Sequence, residues 1–163
     1  MEEELVSSWL RRDPIRWRSG VLSGVFAGVL SLGLAMLLSG FVRGDFWFPV
    51  RLAATPLLGP GATDLAFRLG TIVLGFGLYE ILSGLLGFLF SQFVRTNAPR
   101  PLFALGTVWG LFSWIFVWSL FLQSFAPIQV AGVSSGAALL ICLVYGLSLG
   151  VIGPVDRMLR RRR

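Results

Sequence analysis

The chain has 163 residues, 55% of them hydrophobic and only 13% charged, where a soluble domain carries about 25% charged. Its formal net charge is +6, with fourteen basic residues, all arginine, no histidine and one cysteine. Imidazole-based zinc and copper sites and an intrachain disulfide are thereby excluded. Met1, Met36 and Met158 are scattered at segment ends, so no haem or other cofactor and no metal is expected. The positive charge does not point to nucleic acid, because the arginines stand at the ends of apolar segments, where membrane orientation signals belong.

No charged residue lies between Arg18 and Arg43, and none in the 55 residues between Arg100 and Asp156. One membrane span needs about 20 apolar residues. A soluble core helix would carry a charged outer face at helical spacing, and these segments carry none. The fold class that follows is an all-α integral membrane four-helix bundle forming a single domain over 1–163, with a short interfacial helix after the first span.

In chain order, Leu5, Val6, Trp9 and Leu10 share one helical face. They predict an interfacial helix over about 3–12, ended by Asp13-Pro14. Trp9 and Trp17, set among arginines, are expected at headgroup level. The first span is read over about 20–42, uncleaved. The connection after it is unusually apolar. Pro49 suits the first turn of a second interfacial helix over about 49–58, with Trp47 in the headgroup layer and Arg51 reaching water. Gly59-Pro60-Gly61 ends it.

Thr63 or Asp64 is the expected cap of the second span, over about 65–94. That helix exceeds a hydrocarbon layer of about 30 Å, so it must tilt, kink near Gly75 and Gly77, or project. A proline-broken turn from Arg95 to Pro101 leads to the third span, about 102–125, which Pro127 stops. The fourth, about 131–152, returns as a hairpin partner, and Pro154 is expected to close it before a basic tail. With both termini on one face, eleven arginines lie there against three on the other. The positive-inside rule then puts the N- and C-termini in the cytoplasm, in a bacterial inner membrane.

Small residues mark the packing faces. Gly20, Gly24 and Gly28 form a stripe at four-residue steps, and Gly106–Gly110, Gly132–Gly136 and Gly146–Gly150 repeat the spacing. Such pairs let helices approach closely where lipid supplies no hydrophobic drive. The partner is another helix of this chain, a second copy or another subunit.

Glu80 is the one acidic residue within an apolar run. A central acidic residue such as Asp costs about +2.5–3.5 kcal/mol to insert, so it is rarely idle. Gly77, Gly84, Gly87 and Ser91 fall within about 60° of it around the helix, so Glu80 is expected to face a helix interface. Two readings stand: a hydrogen bond that holds helices together, or a proton- or cation-handling group. The aromatics of span three, Trp109, Trp114 and Trp118 among them, read as lipid-facing bulk.

The glycine stripe of span one, Glu80-xxx-Gly84, and Cys142-Leu143-Val144-Tyr145-Gly146-xxx-Gly150 resemble a loose group of small four-span bacterial membrane proteins of unknown function. In that group a histidine often stands four residues before the glycines of spans two and four. Here those positions hold Glu80 and Cys142, so the resemblance implies no histidine-based role. The functional expectation is a non-enzymatic accessory or regulatory subunit, contacting the lipid bilayer and either other membrane subunits or itself. The alternative is an oligomeric transporter or proton- or cation-conducting module using Glu80.

Overall fold

The computed structural model describes residues 14–64, 68–94, 96, 98–122 and 132–161. The expected helix over 3–12, with Trp9, and the connection that includes Pro127 lie outside them. Among the described residues there is no strand, and four helices are long and apolar enough to cross a membrane. The chain is an all-α multi-pass membrane protein.

Helix α1 runs from Pro14 to Arg43, six residues earlier than the apolar run alone marks, because proline fits a helix's first turn, where no N–H is needed. The 49–58 segment is two helices: α2, Phe48–Ala53, and α3, Thr55–Leu58. Pro56 is the reason for the break. It has no N–H to give Leu52, and the Thr55 hydroxyl donates to the Leu52 carbonyl instead, at 2.8 Å. A 3-10 turn, Pro60–Thr63, follows.

The second span, α4, is Leu69–Phe93. Neither Thr63 nor Asp64 caps it. Thr63 bonds back to Pro60 O, the Asp64 carbonyl accepts from Arg51, and Arg68 occupies the N-cap position without a side-chain bond. The third span, α5, is Pro99–Ser113, continuing as a π-helical stretch, Trp114–Leu122. The fourth, α6, is Ser135–Ser148, capped by Ser134 through its bond from Ala137 N–H. It does not stop at Pro154. A 3-10 turn, Leu149–Val151, restarts the helix as α7, Ile152–Arg161, which leaves Pro154 in a first turn, where it is tolerated.

The spans pack in the order α4–α1–α6–α5, with α7 folded back on α1 and α2 wedged against α4 and α1. One apolar core, with Phe90, Leu102, Tyr145 and Leu149, fills the end of the bundle where α1 begins and α7 lies. A smaller one, Leu32, Val50 and Ile72, fills the other end. The fourth side of the bundle, between α4 and α5, holds an apolar cleft of about 790 Å³.

Two polar clasps secure the ends. At the α7 end, Asp156 is fully buried, accepts from Ser19 at 3.2 Å and lies 4.0 Å from the Arg16 guanidinium. Arg16 also donates to Val94 O and Thr96 O, tying the start of α1 to the end of α4. At the far end Arg51 does not reach water. It is 3% exposed, paired with Asp45, and donates to Asp64 O. Its planar fork holds two turns at once.

Candidate functional site at the bundle midplane

Glu80 lies near the middle of α4, facing the middle of α1. The close approach of these helices starts from their glycines. A Cβ at Gly24 would stand 2.5 Å from Ser83 O and 2.9 Å from Gly87 Cα. One at Gly20 would meet Ser91 Oγ at 2.5 Å. The contact row on α4 is Tyr79, Ser83, Gly87 and Ser91, an i, i+4 row laid against α1 and its four-residue glycine row, and Gly75 continues it onto α2. Backbones this close are held by dispersion contacts over the whole seam.

A four-residue row drifts about 40° per step around a helix. That drift explains where the expected face fails. Gly84 and Gly87 meet α1, but Gly77 meets nothing within 4 Å. Gly75 takes the contact instead, lying under the Val50 carbonyl of α2.

Glu80 sits beside the row, opposite Gly28. A Cβ at Gly28 would lie 2.6 Å from Glu80 Oε2 and 2.8 Å from Ser83 Oγ, so the absent side chain of Gly28 is the space the carboxyl occupies. Both carboxyl oxygens are buried and neither has a hydrogen-bond partner among the described residues. The expected bond to a serine, threonine or carbonyl is therefore not formed by the described residues. Two hydrogen bonds cross the helices beside it. Ser31 Oγ and Tyr79 Oη share a bond of 3.0 Å, and Tyr145 donates to Ser83 O at 2.6 Å.

Sequence reasoning missed both tyrosines as cross-helix links. The available signal was position: Tyr79 adjoins Glu80, and Tyr145 adjoins Gly146, on faces that must pack. It also missed the buried Asp156, whose signal was a lone acid among the arginines of the C-terminal segment.

The remaining glycines divide cleanly. Gly106 and Gly146 lie against each other's carbonyls, and a Cβ at Gly110 would stand 2.5 Å from Cys142 O, so the α5–α6 seam is also internal. Gly150 lies under the Phe103 ring, and Gly132 packs on Leu52 and Phe48 of α2. Gly136, like Gly77, faces open space. Trp17 is 41% exposed with Arg18 over its ring, and Trp47 is 39% exposed, edge-on to Phe46. Trp109 is not simple lipid-facing bulk: it packs between Phe90, Phe93 and Phe112.

Comparison with protein-family models, with characterised proteins and with solved structures finds no match.

Proposed function

We propose that this membrane protein is a non-enzymatic accessory subunit that docks a transmembrane helix of a neighbouring subunit, or of a second copy, along the outer face of α4. The observation that carries this reading is a pair of unoccupied glycines. Gly70 and Gly77 are seven residues apart, within about 20° of one face, and a Cβ at either meets nothing within 4 Å. Gly33 and Gly136 are also open but each stands alone on its helix; among the described residues Gly70–Gly77 is the open pair at helical spacing, a strip along which an outside backbone can come near. Val73 and Ile81, 63% and 71% exposed, flank it and offer ridges for such a partner. The arginine distribution supports an inner-membrane orientation with both termini cytoplasmic.

The test compares Gly77→Leu with wild type by size measurement in mild detergent. Leucine fits the open space, so the variant folds and loses the larger assembly. An unchanged assembly, or a monomeric wild type without co-purifying subunits, contradicts the reading.

A second reading has its own observation: the buried Glu80 carboxyl without a partner among the described residues. Its oxygens are available to a proton donor or a cation, as a conducting module requires. Loss of proton flux in liposomes on Glu80→Gln supports this reading; undiminished flux removes it.

A further inference from the structure

The cleft between α4 and α5 is distinct from the Gly70–Gly77 strip and from the Glu80 site. We propose that it is a binding site for one phospholipid with an anionic headgroup, taken from the leaflet on the α7 side of the bundle.

The lining defines the apolar part of the ligand. Leu86, Leu89 and Phe93 form one wall, Leu105, Val108 and Phe112 the other. The length defines it further. The cleft runs along α4 from Leu82 to Val94, which at about 1.5 Å per residue is about 18 Å. Leu82 lies at the middle of α4, so the cleft occupies one leaflet. Acyl chains of one leaflet fill about 15 Å, half of a hydrocarbon layer of about 30 Å. A partner's transmembrane helix needs the full thickness, and among the described residues the lining on α4 starts at Leu82 and lies in one half of that helix. A lipid tail fits it and a crossing helix does not.

The charge at its mouth selects the headgroup. The cleft ends at Phe93 and Val94, where Arg16 is held on Val94 O and Thr96 O. Arg100 stands exposed on the first turn of α5, about 7.5 Å along the axis from Leu105. Arg18 and Arg157 are exposed at the same end. The one acid there among the described residues, Asp156, is fully buried. Among the described residues the exposed charge at the mouth is therefore cationic, and guanidinium forks suit phosphate. The opposite end of the bundle mixes Arg43, Arg51 and Arg68 with Asp45 and Asp64.

The experiment is native mass spectrometry of the full chain after exchange into vesicles containing equal phosphatidylglycerol and phosphatidylcholine, with gentle detergent extraction. One phospholipid per chain is expected to survive, with phosphatidylglycerol at least threefold over phosphatidylcholine. Val108→Trp fills the cleft from α5, and Leu89→Trp fills it from α4. Each is expected to keep the wild-type unfolding midpoint and lose the retained lipid. Arg100→Gln is expected to keep a lipid and lose the threefold preference. No retained lipid in the wild type overturns the proposal. So does equal retention in both tryptophan variants, which marks ordinary boundary lipid. Cross-linking of Val108→Cys to another protein also overturns it by assigning the cleft to a helix.

Discussion

Glu80 and Gly28 face each other at the middle of their helices, and the space of the missing Gly28 side chain holds the Glu80 carboxyl, 2.6 Å from where a Cβ would stand. The pair differs from its neighbours along the same seam. At Gly24 the obstacle is backbone, Ser83 O and Gly87 Cα, whereas at Gly28 it is side chain, the Glu80 carboxyl end and the Cβ and Oγ of Ser83. The carboxyl and hydroxyl can turn aside at a cost of about 1 kcal/mol and Ser83 Cβ yields only as its helix shifts slightly, but two packed backbones cannot separate locally. Gly28→Ala is therefore expected to destabilise by about 1 kcal/mol and Gly24→Ala by about 1–3 kcal/mol or more. Unfolding midpoints in detergent measure both, and the reverse order would show that the seam is read incorrectly.

Glu80 itself makes no hydrogen bond to a described residue. If its carboxyl held helices together, Glu80→Met would destabilise the bundle. The geometry predicts the opposite: replacing a buried, unsatisfied polar group by an apolar one of similar length leaves stability unchanged or raises it by about 1–3 kcal/mol. The same unfolding assay decides it, and a loss of stability argues for a purely structural carboxyl.

Tyr145 links α6 to α4 through Ser83 O. Tyr145→Phe keeps the ring and removes one neutral hydrogen bond, so a loss of about 0.6–1.5 kcal/mol is expected. Tyr145→Ala, which also empties a buried site, is expected to cost about 3–5 kcal/mol. No loss in Tyr145→Phe beside a full loss in Tyr145→Ala would mean that packing alone holds this junction.

The Arg16–Asp156 clasp joins the start of α1, the end of α4 and α7. Removing one partner of a buried ion pair strands the other, at about 3–5 kcal/mol. Asp156→Ala is expected to release α7, so that hydrogen exchange rises over 152–161 and at the first turns of α1. Unchanged protection there would show that α7 is held by its apolar contacts.

Four spans and the small-residue seams are legible in the sequence, because a charge-free run and a four-residue glycine spacing are local properties. What escapes is set by geometry between segments. The expected glycine face of α4 includes Gly77 because it lies within about 60° of Glu80, while the packed row drifts by about 40° per step and passes through Gly75. Arg51 looks like a water-reaching anchor until Asp45 and the Asp64 carbonyl close around it. Pro154 looks like a stop because the 3-10 turn before it, which restarts the helix, has no local marker. The Glu80 candidate is legible from charge alone. Its lack of a partner among the described residues depends on which side chains of α1 face it.

The accessory-subunit reading rests on the open face of α4. Its most direct measurement is cross-linking in native membranes, using Gly77→Cys in a Cys142→Ala background, with Phe41→Cys, at an 87% exposed position, as the lipid-facing control. A discrete adduct, with a second copy or with another subunit, is expected from position 77 and none from position 41. Equal labelling at both, or none at 77, would contradict the accessory-subunit reading.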